Sequence, residues 1–290
     1  MIIDPKERLL FSLAHCPFLT LSEKWQLAAE RITELKELGR MGNKPCMVSE
    51  KKRASFLRYD ENMPIMQLND RYKASSVYLL SILSPDYPHL LKESFDPPLI
   101  LFCKGERTLL SGRLLGIVGA RDCTAYASNV LDILIPDLTR AGITIVSGLA
   151  KGVDSTAHHL TMTAGGETVG VVGTGLDQAY PAQNRTMQKR MGEEQLVVSE
   201  YPFGTSPRRE HFPARNRIIA GLTRGTLVVE AKKRSGSLIT ARLALEEGRD
   251  VFAVPGSVLS ELSVGSNELI RSGAISCLRS SDILEEWNVY

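Results

Sequence analysis

Residues 114–175 read LLGIVGARDCTAYASNVLDILIPDLTRAGITIVSGLAKGVDSTAHHLTMTAGGETVGVVGTG. Three apolar, β-branched runs stand out: LLGIVGA at 114–120, ITIVSG at 143–148 and TVGVVGTG at 168–175. Two stretches at helical spacing, 125–140 and 153–164, separate them. The runs are continuous rather than alternating in polarity, which implies strands buried on both faces. Strand–helix alternation implies right-handed crossovers and a doubly wound, mostly parallel sheet. The pattern continues outward. Further strands read LVVSEYP (196–202), TLVVEA (226–231), VFAVPG (251–256) and AISCL (274–278), with LILFCKG (99–105) upstream. Helices are expected over 182–191, 214–222, 237–247 and 266–272, and a short one at DILEEW. Pro136 predicts a kink or an early stop in the first helix.

Residues 1–80 have a different grain. RLLFSLAHC and WQLAAERITELKEL carry apolar side chains at helical spacing, with a break at Gly39 and Gly42. A proline-rich connector over 84–98 leads into the α/β part. At 290 residues, two unequal domains are expected: a helical one over 1–80 and an α/β one over 81–290. No apolar run approaches the roughly 18 residues of a membrane helix. The N-terminus has no signal-peptide pattern. Five scattered cysteines without a CxxC pair suggest neither zinc nor disulfides, but free thiols in a reducing cytoplasm.

In an open α/β sheet, ligands bind beyond the carboxyl ends of the strands. Those ends read Gly119-Ala120-Arg121, Ser147 to Gly152, Gly173-Thr174-Gly175, Glu200-Tyr201-Pro202, Glu230-Ala231 and Pro255-Gly256. Small residues let backbone approach a ligand, and the helix that follows offers free N–H groups to an anion. The dinucleotide fingerprint fails: residues 173–178 read GTGLDQ, and no acid ends the second strand. Walker A, G-x-S-x-G and HExxH motifs are absent from the sequence. Asp154 and His158 are read as a helix-start acid and a buried, hydrogen-bonded histidine. Glu200 and Glu230 are read as partners of loop N–H groups or arginine.

The net charge of +2 argues against a polycation, but it hides a concentration. Between 205 and 242 lie Arg208, Arg209, Arg215, Arg217, Arg224, Lys232, Lys233, Arg234 and Arg242 against Glu210 and Glu230, nine minus two, or +7. Arg121, Lys151 and Arg185 end other strands. Arginine forks match phosphate oxygens bidentately. Tyr126, Tyr180, Tyr201, Phe203 and Phe212 are interleaved with them. A basic groove with stacking rings suits single-stranded nucleic acid. The hydroxyl-rich SGSLIT turn (235–240) opens a helix whose N–H groups can be capped or can hold phosphate.

An ordered series of motifs resembles the DprA/Smf family: GIVGAR (116–121), VSGLAKGVDSTAHH (146–159), VGTGLDQAYPAQN (172–184), SEYPFGT (199–205), HFPARNRIIAGL (211–222), VVEAKKRSGSLITARLALEEGR (228–249), VFAVPG and NELIRSGA (267–274). The resemblance covers about 84–278. It implies an extended Rossmann-like fold and a non-catalytic role binding and protecting single-stranded DNA during natural transformation. It implies loading of the RecA recombinase and a homodimer formed through the C-terminal part of the Rossmann domain; no cofactor or metal is expected. It gives the N-terminal region the place of a sterile-alpha-motif-like domain. By position, the contacts it implies are Arg121, Ser147, Gly148, Asn184, Arg215, Asn216, Arg217, Ser235, Gly236, Ser237 and Thr240; Lys151 and Arg185, read from the charge at the strand ends, complete the expected site. Ala120 departs from the usual serine, and Ala182 from a frequent basic residue for which Arg185 can substitute.

The rival reading is a nucleoside-monophosphate phosphoribohydrolase on a related sheet. PGSVLSEL (255–262) starts like that family's PGGxGTxxE but lacks the GT and the acid spacing. A third reading is a scaffold whose basic edge docks an acidic protein.

Overall fold

A computed structural model describes residues 4–37 and 47–289. Gly39, Gly42 and Cys46 lie outside the described residues. Five helices come first: α1 Pro5–His15, α2 Leu21–Arg31, α3 Thr33–Glu37, α4 Glu50–Glu61 and α5 Ile65–Ala74. Local sequence starts the first two. Asp4 caps α1 ahead of Pro5, and Thr20 with Glu23 closes a capping box on α2.

The chain then enters the sheet with β1 Val77–Ser81, followed by α6 His89–Lys92 and β2 Ile100–Gly105. The alternating part runs β3 Arg113–Val118, α7 Ala125–Arg140, β4 Ile143–Ser147, α8 Val153–Thr163, β5 Thr168–Val172, α9 Arg185–Glu194 and β6 Leu196–Ser199. It continues as α10 His211–Leu222, β7 Gly225–Val228, α11 Gly236–Glu246, β8 Asp250–Ala253, α12 Val264–Arg271, β9 Ile275–Ser276 and α13 Ser281–Glu286. The nine strands are ordered β1-β2-β6-β5-β4-β3-β7-β8-β9. β2 is antiparallel to both neighbours, and the strands from β6 to β9 are parallel. The order runs one way from β3 to β6 and the other way from β7 to β9. The switch point therefore lies between β3 and β7, where a crevice opens at the carboxyl ends.

Two expectations needed correction. Residues 77–81 are a strand, not helix; their apolar run VYLLS pairs with β2 at the sheet's edge. Pro136 does not stop α7 early, one of the two outcomes expected of it; the helix continues to Arg140. It sits in the last turns, where a single lost N–H costs few contacts. The proline-rich connector holds the one-turn α6, and the last expected strand shrinks to two residues.

The sheet is covered on both faces. Leu115, Ile117, Ile145, Leu227 and Phe252 pack with Ala127, Leu131, Ile135, Val153, Ala157 and Trp287. The opposite face, with Leu114, Val118 and Val146, packs with Ile218, Ile219, Leu222 and Ala241 and joins the helical region in one continuous core. That region is also tied by polar contacts. Trp25 Nε1 donates to the Pro97 carbonyl at 2.9 Å, and the Tyr72 ring stacks on Phe102 at 5.1 Å. Among the described residues no helix is long and apolar enough to cross a membrane.

Candidate nucleic-acid interface

The crevice at the switch point is a groove of about 1060 Å³. One wall is the loop after β3, Gly119 to Asp122; another is the segment after β7, Lys232 to Ser237; the start of α10 forms a third. It deepens into a narrower pocket of about 180 Å³ against Gly148, Gly173, Thr174, Tyr180, Pro181 and Gln183. Arg121, Ala150, Tyr180, Phe212 and Arg215 line both.

Arg215 sits at the base. It is buried, and its Nε and Nη1 have no hydrogen-bond partner in the protein. A guanidinium left so in an interior is costly unless an anion meets it. Asp154 is the carboxylate facing it. Burial raises the Asp154 carboxyl, and the Arg215 charge opposes that rise. Asp154 also accepts from the Ala150 N–H at 3.4 Å, so it is held as a counter-charge below the pocket.

The Arg121 loop is placed by Gly152. That residue has φ of 84°, and a Cβ there would lie 2.3 Å from the Ala120 carbonyl oxygen. Only glycine allows so close an approach with that backbone. Val153 N–H then donates to the same carbonyl at 3.2 Å. Fixed in this way, the Arg121 guanidinium lies 5.6 Å from the Phe212 ring centroid. Phe212 packs beside Tyr180 at 5.2 Å with the planes inclined by 36°. Two rings thus wall the pocket. The other interleaved aromatics are used elsewhere: Tyr126 donates to the Pro255 carbonyl, Tyr201 stacks on His211, and Phe203 packs on Tyr72.

At the far side α11 begins at Gly236. Its N-cap Ser235 makes no capping bond; the Ser235 and Ser237 hydroxyls bond each other at 2.8 Å. The first amides of α11 therefore keep their capacity for an anion. Thr240 is buried with an unpartnered hydroxyl, and Asn216 donates to the Gly236 carbonyl at 3.3 Å.

The structure therefore gathers Arg121, Gly148, Lys151, Arg215, Asn216, Ser235, Gly236, Ser237 and Thr240 around one cleft. It places four expected residues otherwise. Ser147 is fully buried and donates to the Ile117 carbonyl at 2.6 Å. Asn184 donates to the Leu149 carbonyl at 2.8 Å, so it shapes the pocket from behind. Arg217 pairs with Glu200 and bonds the Asp96 carbonyl. Arg185 faces a separate groove. The carboxylates read as partners are so engaged: Glu230 accepts from the Thr124 N–H and hydroxyl at 2.9 and 2.7 Å. His158 is buried, with Nδ1 2.7 Å from the Thr168 hydroxyl.

Several lining residues were not among the expected contacts. Arg209 and Gln183 line the cleft, and the Arg215 charge acts on the buried Asp154 carboxyl in the same lining. For Arg209, the +7 window was a signal; for the placing of Asp154 beside Arg215, across 61 positions, there was none. The groove's charges also sort by partner. Lys151 pairs with Asp122 at 2.6 Å, Lys232 with Glu261 at 3.5 Å and Lys233 with Glu268 at 3.5 Å.

Comparison with known proteins agrees with this picture. Residues 78–288 match the family described as DNA recombination-mediator protein A. The chain is 45% identical over 216 residues to the DNA processing protein DprA of Bacillus subtilis, covering 74% of this chain and 73% of that one. It is 49% identical over 207 residues to DprA of Streptococcus pneumoniae, covering 71% and 73%. The X-ray structure of the pneumococcal protein superposes with a TM-score of 0.79 at 36% identity over 99% of both chains. A Helicobacter pylori DprA, described for its single-stranded DNA binding mode, superposes with a TM-score of 0.64 at 30% identity, covering 73% of this chain and 95% of that one. A chain with this sheet, this cleft and this span of matching sequence belongs to the DNA recombination-mediator protein A family.

Proposed function

We propose that this chain binds single-stranded DNA in the switch-point cleft without reacting with it, protects the strand and delivers it to the RecA recombinase. The observation that carries the binding is Arg215: a buried guanidinium with two unpartnered nitrogens, at the base of a cleft walled by two rings and rimmed by arginines. Phosphate satisfies the nitrogens, and bases lie against the rings. The contacts are Arg121, Lys151, Arg215, Asn216 and the Ser235–Thr240 turn. Such binding is sequence-tolerant and salt-sensitive.

A non-catalytic role is supported by the state of the carboxylates. Glu230 is held by Thr124, and Asp154 is buried behind Arg215. A phosphoribohydrolase needs an acid free to reach the sugar. Delivery to RecA and homodimerisation through the C-terminal part rest on the family. Leu278, Val258 and Leu259 are exposed there.

The experiment is a titration of single- and double-stranded oligonucleotides with wild type and Arg121→Glu at several salt concentrations. Preference for the single strand, lost in the variant, is expected. Equal affinity for both forms, or an unaffected variant, rejects the reading. Release of free base from a nucleoside monophosphate would restore the hydrolase. Stimulation of RecA strand exchange in the presence of single-strand-binding protein tests delivery.

A further inference from the structure

A second groove of about 610 Å³ lies along α9, lined by Lys104, Leu176 to Ala179, Arg185, Gln188, Lys189 and Val197. Arg185, Gln188 and Lys189 fall on one face of α9, at helical spacing. Lys104 stands opposite, on β2. Its stem is laid across Gly192, where an added Cβ would meet the lysine side-chain carbons at 3.2–3.4 Å. The glycine at this one position of α9 thus lets a lysine from the sheet lie flat against the helix. From Arg185 to Gly192 the helix rises about 10 Å. Three cations follow one another along that length.

Their charges are largely uncommitted. Among the described residues, Lys104 and Arg185 make no ion pair, and Lys189 reaches Glu193 only at 3.9 Å, an exposed contact worth little. The one acid lining the groove is Asp177, and it is occupied. Both of its oxygens accept from the Gly204 N–H at 3.0 Å, and it pairs with Arg71 at 3.2 Å. The N-terminus of α9 adds to the field, because Asn184 makes no side-chain cap.

The two grooves share a ridge. Tyr180, Pro181 and Gln183 face the main cleft; Gln178, Ala179 and Arg185, just before and after them in sequence, face the second groove. We propose that this groove is an exit lane for the same strand: single-stranded DNA leaving the main cleft crosses the 180–183 ridge and descends along α9, its phosphates held by Arg185, Lys189 and Lys104. The inference rests on the main-cleft reading, and it assigns a role to Lys104 and Lys189. The lane has no aromatic lining, so it holds backbone rather than bases and adds affinity without sequence preference.

The test uses an oligothymidylate of about 20 nucleotides, longer than a single short binding site, titrated at several salt concentrations. The variant is Lys104→Met with Lys189→Met, which removes two charges and keeps the packing of the stems. A control pair, Lys36→Met with Lys51→Met, makes the same charge change at exposed helical positions that line neither groove. Two lost phosphate contacts should flatten the salt slope by about 1.4 and lower affinity about tenfold near physiological salt. The control pair should bind as wild type. Unchanged affinity and slope in the groove variant overturns the lane, and so does an equal loss in the control. Arg121→Gln is run beside them: wild-type binding by that variant would overturn the main-cleft reading instead.

Discussion

A Cβ placed on Gly148 would lie 1.4 Å from Nη1 of Arg215. The glycine at the end of β4 thus makes the space in which the buried guanidinium rests. Gly148→Ala must therefore displace Arg215 while leaving its charge in the chain. We expect single-strand affinity to fall roughly ten- to a hundredfold, the range of a lost hydrogen bond to a charged group. Arg215→Met should lose a similar amount. The double variant should lose no more than either single one, because both remove the same contact. Additive losses in fluorescence anisotropy titrations would separate the two residues.

Buried Asp154, with the Arg215 charge acting on it, makes stability depend on pH. Burial raises the Asp154 carboxyl in the folded chain, so the folded state takes up this proton before the unfolded one. Its contribution is therefore most favourable at low pH and declines as pH rises toward the folded value. Arg215 limits that decline. In Arg215→Met the carboxyl rises further and the loss extends toward neutral pH. Urea unfolding should show this variant destabilised by about 3 kcal/mol at pH 7 and by less at pH 5. Adding Asp154→Asn should remove the difference between the two pH values.

Two histidines act in the opposite sense. Burial holds His158 down to about 3 and His15 down to about 4. His15 is bonded to the Phe11 carbonyl at 2.9 Å and the Tyr72 hydroxyl at 2.8 Å. Each stays neutral when folded and charges in the unfolded chain below about 6.5. Stability should be fully present above that value and fall by about 1.4 kcal/mol per pH unit for each histidine as pH drops toward 4. His158→Gln should make the acid limb shallower by one proton, measured as the slope of unfolding free energy against pH.

The α/β half was legible because its signals are local and repeated. Seven apolar runs, most of them ending in small residues, placed the sheet, and the +7 window placed charge on its binding edge. β1 was missed because VYLLS follows a helical stretch without a proline or glycine between them. Its strand state is decided by pairing with β2, a non-local cause. The site was legible only as a set of residue types. Arg215 and Arg217 stand two apart on α10 and look equivalent in sequence. They point apart on the helix: one enters the cleft, and the other meets Glu200 and the Asp96 carbonyl. Lys104 was not singled out because its strand, β2, runs antiparallel, so its end lies off the carboxyl edge used to find the site.

Phe212 and Arg121 are in contact but should fail differently. A ring that stacks a base contributes about 1–3 kcal/mol and releases no counterion. Phe212→Leu should therefore weaken single-strand binding while leaving its salt slope unchanged. Arg121→Gln should flatten the slope by about 0.7, one phosphate contact on a single strand. The guanidinium also lies over the ring at 5.6 Å, so Phe212→Leu loosens Arg121 as well. The pair should couple in a double-mutant cycle. The salt series decides what the ring does. If Phe212→Leu flattens the slope as much as Arg121→Gln does, the ring serves only to aim the arginine. If the slope holds while affinity falls, Phe212 is a platform for a base, and the narrow pocket beside Tyr180 is where that base lies.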